Sequence, residues 1–76
     1  MVEAFIFITA EVGKVRDAIN DIKELENVKE AHVVTGPYDI IANINVEEMS
    51  KIRDIVEKKI QQIDGIASTN TAIAVE

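Results

Sequence analysis

The sequence predicts an α+β fold in which strands and helices follow one another in the order βαββαβ. Apolar residues alternate along four short segments and recur every three or four positions along two longer ones. A turn at Gly36-Pro37 separates two of the alternating segments. At 76 residues the chain is expected to be a single domain, residues 1–76.

The first strand is predicted at Val2 to Thr9, a segment rich in Val, Ile and Phe. Both of its faces are largely apolar, so we expect it to be covered on both sides. The first helix is predicted from Val12 to Leu25, although Gly13 weakens its first turn. Its apolar stripe consists of Val12, Val15, Ala18, Ile19, Ile22 and Leu25.

The next two strands are predicted at Val28 to Thr35 and Asp39 to Val46. The turn Gly36-Pro37-Tyr38 joins them as a hairpin, because Gly36 can adopt backbone angles closed to other residues and Pro37 fixes its own φ. In the third strand one face is predicted to carry Ile40, Ala42, Ile44 and Val46, and the other Ile41, Asn43 and Asn45.

The second helix is predicted from Glu47 to Ile63, with Gly65 as a left-handed cap at its end. Its apolar stripe consists of Met49, Ile52, Ile55, Val56, Ile60 and Ile63. The fourth strand is predicted at Ile66 to Val75, and its middle is polar: Ser68, Thr69, Asn70 and Thr71.

This order of elements, joined by right-handed crossovers, gives a ferredoxin-like fold. It has a four-stranded antiparallel sheet with both helices on one face, and the other face is open. A chain this short is marginally stable alone, and 47% of its residues are hydrophobic although 29% are charged. We therefore expect it to dimerise, sheet against sheet.

Composition excludes several classes of site and partner. The net charge of -6 disfavours direct binding to nucleic acid and to anionic membranes. The absence of cysteine excludes disulfides and thiolate metal sites, and the single histidine, His32, argues against a histidine zinc site, so no metal or cofactor is predicted. The apolar run Ala4 to Ile8 is too short for a signal peptide, and no segment is long enough to span a bilayer, so a cytoplasmic location is predicted.

The hairpin turn is the main candidate site. Asp39 can hold the ammonium of a small zwitterion while backbone N–H groups of the turn take its carboxylate. In the alternative interpretation, Asp39 only stabilises the turn. In the fourth strand, alternate members of Ser68, Thr69, Asn70 and Thr71 share a face, so two of them can line a site, or all four can simply be solvated.

Catalytic groups are scarce. His32 is a candidate general base or pH switch, but it lacks a neighbouring nucleophile and is more simply a half-exposed strand residue. Four acids of the second helix are candidates for acid–base catalysis, but they fall on a face rich in Lys and Arg that is typical of a solvated surface: Glu47, Glu48, Asp54 and Glu57. The sequence contains no catalytic constellation, so we expect the protein not to be an enzyme.

The pattern Val28-x4-Val33-Val34-Thr35-Gly36-x2-Asp39, then a helix, then Gly65-Ile66-x4-Thr71, resembles the effector-binding domain of the Lrp/AsnC regulators of amino-acid metabolism. The resemblance covers essentially the whole chain. Members of that family usually carry an N-terminal helix-turn-helix domain, whereas this sequence starts at the first strand. The expectation is therefore a stand-alone form, and Met1 just before that strand favours a natural start over a truncation.

The resemblance implies sheet-to-sheet dimers that assemble further, often as four dimers forming an octamer. It also implies that an amino-acid effector binds in clefts between dimers. One wall would be formed by Thr35, Gly36, Pro37, Tyr38 and Asp39, and another, contributed by a neighbouring subunit, by Ser68, Thr69 and Thr71. In this arrangement Asp39 would take the ammonium group and the turn amides the carboxylate.

The predicted function is a non-enzymatic amino-acid sensor that modulates its own assembly or a full-length Lrp/AsnC regulator, without binding DNA itself. One alternative is an enzyme of the dimeric α+β barrel type, a small monooxygenase or isomerase, using His32, Tyr38 and Asn43. Another is a ligand-free structural partner that co-assembles with full-length regulators.

Overall fold

The computed structural model describes all 76 residues and contains one four-stranded antiparallel sheet and two helices. The strands are β1 (Val2–Ala10), β2 (Val28–Val33), β3 (Ile40–Val46) and β4 (Ile66–Ile73), in the spatial order β2-β3-β1-β4. The helices are α1 (Val15–Lys23) and α2 (Met49–Ile55), and a π-helical turn, Val56–Ile60, continues α2 and is called the π segment. The ferredoxin-like fold predicted from the order of the elements is confirmed.

One face of the sheet packs against both helices. Ile6 in β1 lies opposite Ala42 in β3 and Thr71 in β4, which fixes the register across three strands. Ala4, Ile6 and Ile8 alternate with more exposed residues and have no accessible surface. They join β3 and both helices in a single core: Ala4, Ile6, Ile8, Ala18, Ile19, Ile22, Ala31, Ile40, Ala42, Ile44, Val46, Ile52, Ile55, Val56 and Ile60.

The first helix starts later than the spacing predicted. It begins at Val15, and Val12 is fully exposed in the loop before it. Gly13 has φ of +81°, a left-handed conformation that breaks the helical path, so Val12 cannot belong to the apolar stripe. The helix ends at Lys23, which leaves Leu25 half-buried outside it.

The second helix is also shorter than predicted. It starts at Met49 rather than Glu47, and the π segment that follows ends at Ile60 rather than Ile63. Gly65 does adopt the expected left-handed conformation, with φ of +93°, but it lies in the turn before β4 and not at the end of the helix. None of the helices is long and apolar enough to cross a membrane.

The strand boundaries differ from the predictions by one or two residues. β1 extends to Ala10, β2 ends at Val33, β3 starts at Ile40 and β4 ends at Ile73. The early end of β2 follows from the hairpin, in which Val34 N–H donates to the Asp39 carbonyl to close the turn beyond the strand.

The second face of the sheet is uncovered in the single chain and is called the open face. Phe5, 37% exposed, stands on it beside the buried Asn43, whose amide donates to Glu3 Oε2 at 3.0 Å. The open face therefore carries apolar and polar side chains together. Its members are Glu3, Phe5, Phe7, Thr9, Glu30, His32, Ile41, Asn43, Asn45, Ser68, Asn70 and Ala72.

Candidate ligand-binding site

The hairpin turn between β2 and β3 is held against the end of β1. Gly36 has φ of +131°, which only glycine adopts without strain. The Val34 N–H donates to the Asp39 carbonyl, and the Asp39 N–H donates to the Ile8 carbonyl, both at 2.9 Å. These bonds fix the turn from both sides.

Asp39 also binds the backbone of β1 through its side chain. Its Oδ2 accepts the Ala10 N–H at 2.8 Å. Between Thr9 and Ala10 the pairing of β1 with β4 shifts register, so the carboxylate satisfies an N–H at an irregularity of the ladder. The other oxygen, Oδ1, accepts no hydrogen bond from the chain. The residue therefore stabilises the fold and keeps a free acceptor as well.

Tyr38 lies over the open face of the sheet. Its ring centroid is 5.2 Å from that of Phe7, and the two ring planes are inclined by 41°. This is a favourable tilted arrangement of aromatic side chains. The turn therefore places its aromatic residue on the open face and its carboxylate on the end of β1.

The polar residues of β4 are divided between the two faces of the sheet. Ser68 lies opposite Thr9 on the open face, and their hydroxyls are hydrogen-bonded. Thr69 lies opposite Ile8 and Thr71 opposite Ile6, which places both on the helix side. Within one subunit the structure thus brings Thr69 and Thr71 together but separates them from Ser68.

Thr69 and Thr71 line a groove of about 430 Å³ between α2, the π segment and β4. Its apolar lining comes from Met49, Ile52, Val56 and Ile73, and its polar lining from Arg53, Glu57, Gln61 and the two threonines. We call it the α2/β4 groove.

A pair of opposite charges belongs to the polar lining of this groove. Arg53 Nε donates to Glu57 Oε1 at 2.9 Å, and this hydrogen bond together with the attraction of the carboxylate raises the pKa of Arg53. Across the groove Gln61 Nε2 donates to Thr69 Oγ1 at 2.8 Å.

The sequence predicted that this face of the second helix is solvated. Thr69 and Thr71 stand at alternate positions of β4, opposite Ile8 and Ile6 of β1. This pattern was the signal in the sequence that could have revealed the groove.

The residues of the enzyme alternative are not gathered around a cavity. His32 is exposed on β2, with Nε2 3.4 Å from Glu30 Oε1. Asn43 is buried and donates hydrogen bonds to Glu3 Oε2 and the Ala4 carbonyl, and Tyr38 packs on Phe7. None of the cavities of the structure is lined by any of the three.

The chain matches a class of ligand-binding domain that occurs in transcriptional regulators. Residues 3–76 match the family model described as the Lrp/AsnC ligand binding domain, and the chain belongs to that family.

Two curated relatives illustrate this membership. An uncharacterized HTH-type transcriptional regulator of Pyrococcus abyssi is 37% identical over 70 residues, which are 92% of this chain and 44% of that protein. The leucine-responsive regulatory protein of Escherichia coli is 27% identical over 55 residues, 72% of this chain and 34% of that protein. The chain thus spans less than half the length of these relatives.

A solved structure from Thermus thermophilus has the same fold. It superposes with a TM-score of 0.95 at 32% sequence identity, and the match covers 100% of this chain and 95% of that one.

Proposed function

We propose that this protein is an amino-acid-sensing regulatory module. It binds a free amino acid between subunits and thereby alters its own assembly or its contacts with a full-length regulator of the same family, without binding DNA itself. Family membership and relatives named as transcriptional regulators, one of them leucine-responsive, support a regulatory role.

The observation that carries the proposal is the chemistry left free at the hairpin turn. Asp39 Oδ1 has no partner in the chain, and neither do the backbone N–H groups of Gly36 and Tyr38. A carboxylate acceptor beside free N–H donors matches the two charged ends of a zwitterion. The site residues proposed for this wall remain Thr35, Gly36, Pro37, Tyr38 and Asp39.

The second wall is proposed to come from a neighbouring subunit. Ser68 lies on the open face, which a second copy would cover, whereas Thr69 and Thr71 lie on the helix side. Within one subunit the two sets lie on opposite faces of the sheet, so each would reach a ligand through a different contact between subunits. A ligand bound between subunits shifts assembly only when it binds one assembly state more tightly than another.

Replacing Asp39 by asparagine tests the proposal. Asp39→Asn retains an oxygen for the Ala10 N–H but removes the negative charge, so the fold should survive while the ammonium loses its partner. We expect amino-acid affinity, measured by isothermal titration calorimetry with the proteinogenic amino acids, to fall about tenfold or more.

The matched control is Asp21→Asn, which removes one exposed carboxylate from α1, away from the turn. It should leave the affinity unchanged. Equal affinities for wild type and Asp39→Asn would overturn the assignment of the site. Native mass spectrometry of the same samples would show whether the bound amino acid changes the distribution of oligomers.

A further inference from the structure

β4 forms one edge of the sheet, and its outer side has no partner in the chain. Just beyond it, the Ala74 N–H donates to the Glu3 carbonyl at 2.9 Å, so the backbone groups of Ala74 face β1. These directions alternate along an antiparallel strand, and the N–H and C=O groups of Thr69, Thr71 and Ile73 therefore point away from the sheet. No turn, loop or side chain of the protein bonds to these groups.

The two edges of the sheet differ in charge. The other edge, β2, carries Lys29 and Glu30 at exposed positions, and its pairing with β3 shifts register beside them. Charged side chains and bulges of this kind keep an edge strand from pairing with another sheet. From Ile66 to Val75, by contrast, the chain contains no charged residue and no proline, although 29% of all its residues are charged. The ladder between β4 and β1 is irregular only at the start of β4, before Ser68.

The edge of β4 is also accessible. Most residues of the strand are exposed: Ala67, Ser68, Asn70, Thr71 and Ala72. On the helix side the α2/β4 groove lies beside this edge, where Ile73 is half-buried and Met49 is 57% exposed. A strand added to the edge would pair the free backbone groups and shield this apolar surface at the same time.

A second copy of β4 matches the free groups of the first. When two such strands pair antiparallel about Asn70, Thr69 of one copy lies opposite Thr71 of the other. Ala67 then lies opposite Ile73. In this register the residues whose backbone groups point outward oppose one another, as a hydrogen-bonded ladder requires. Pairs of threonines across two strands are favourable, and no charged residue of β4 comes opposite another.

We propose that the free edge of β4 pairs with the same edge of a second copy, in antiparallel orientation, and extends the sheet across two subunits. The open face stays free in this arrangement, so the contact joins the dimers expected from that face into larger assemblies. A single pair of short strands contributes little stability in water, so we expect this contact at protein concentrations above those at which the dimer forms. The proposal goes beyond amino-acid sensing, because it involves the backbone of β4 and requires no ligand.

Amide hydrogen exchange tests the contact residue by residue, in samples without amino acids. On raising the protein concentration, the N–H groups of Thr69, Thr71 and Ile73 should exchange about tenfold more slowly or less. The internal control is the edge of β2. There the Val34 N–H donates to the Asp39 carbonyl, so by the same alternation the N–H groups of Ala31 and Val33 point outward. Their exchange rates should not depend on concentration.

Two substitutions at the centre of the edge test the pairing by sedimentation velocity. Thr71→Lys introduces charges that pairing would bring close together across the two copies. Thr71→Pro removes the outward N–H but no hydrogen bond to β1. Each should weaken association beyond the dimer about tenfold or more and leave the dimer intact. The matched control is Val33→Lys, which adds the same charge to the exposed end of β2 and should assemble like wild type.

Two outcomes would overturn the proposal. In the first, wild type forms nothing larger than a dimer at any concentration, and exchange at the outward amides of β4 stays rapid. In the second, larger assemblies form but persist in Thr71→Lys and Thr71→Pro, which would place the contact on another surface. Because no sample contains an amino acid, these outcomes are independent of those expected for Asp39→Asn.

Discussion

Gly65 is buried against the side chain of Lys14, and this contact leaves no room for a Cβ atom. A Cβ built on Gly65 would lie 2.6 Å from Lys14 Cβ, and the residue has φ of +93°. Gly65→Ala therefore adds overpacking of about 1–3 kcal/mol to a left-handed backbone cost of about 1–2 kcal/mol. We expect Gly65→Ala to lower the free energy of unfolding, measured by urea denaturation, by about the sum of these two costs.

Gly13→Ala is the matched control. Gly13 also has positive φ, +81°, but a Cβ there would meet nothing within 4 Å. It should incur the backbone cost alone, so the difference between the two variants isolates the contact with Lys14. Equal losses would contradict the packing described for Gly65.

Asp39 is also expected to contribute to folding independently of any ligand. Asp39→Ala leaves the Ala10 N–H without its acceptor, and hydrogen bonds to charged groups contribute about 1.5–3 kcal/mol. We expect a loss of that order in the free energy of unfolding in the absence of amino acids. Asp39→Asn should recover most of it, and an Asp39→Ala variant as stable as wild type would contradict this role.

At the scale of elements, the loops on either side of Gly65 and Lys14 are joined by polar contacts. The Glu11 N–H donates to the Gly65 carbonyl at 2.8 Å, and Lys14 Nζ lies 2.9 Å from Asp64 Oδ2. The β1–α1 loop and the turn before β4 are thereby held together. The hydrogen bond to Asp64, followed by the attraction of that carboxylate, raises the pKa of Lys14 above its ordinary 10.5.

This raised pKa predicts a dependence of stability on alkaline pH. The contribution of Lys14 is complete below pH 10.5 and is lost as the pH rises through the higher folded-state pKa. Lys14→Met keeps the aliphatic packing on Gly65 and removes the charge. We expect the melting temperature of wild type to be slightly higher than that of this variant at neutral pH. This difference in melting temperature should disappear in strong alkali.

The control for this prediction is ionic strength, because an exposed pair is screened by salt. The gap in melting temperature should narrow at high salt. A gap that is constant from neutral pH to strong alkali would show that the charge of Lys14 does not stabilise the fold.

The element order was predictable because each segment has one dominant period of apolar residues. The element ends depended on backbone conformations that periodicity does not encode. Val12 fits the apolar stripe of α1 by spacing, yet the positive φ of Gly13 excludes it from the helix. The sequence did not predict the π segment either, because Val56 and Ile60 are buried at a four-residue spacing that an α-helix would also satisfy.

The candidate site was predictable only in its hairpin. The residues of the turn are consecutive, so sequence alone placed them together. Ser68, Thr69 and Thr71 are also nearly consecutive, but alternation along β4 sends them to opposite faces. The charged lining of the groove depends on how α2 and the π segment lie over β4, which is a tertiary relationship without a short-range signal.

At the scale of the whole molecule, the open face predicts association. Phe5 is 37% exposed on that face, and Phe7 is half-buried beneath Tyr38. We expect the melting temperature of wild type to rise with protein concentration, as it does for a dimer that unfolds to monomers. Phe5→Glu should abolish this dependence and yield a monomer in analytical ultracentrifugation.

Val12→Glu is the control, because it introduces the same charge at a fully exposed position of the β1–α1 loop. It should sediment like wild type. A dimer that persists in Phe5→Glu would place the subunit contact on another surface.

The bond between Asp39 and the Ala10 N–H has an evolutionary consequence. A side-chain oxygen acceptor at this position serves the fold itself, so selection for folding alone is enough to preserve aspartate or asparagine there. Descendants that have lost their effector should therefore retain aspartate or asparagine for as long as they retain the irregular β1–β4 ladder, whereas descendants that still bind it should retain aspartate.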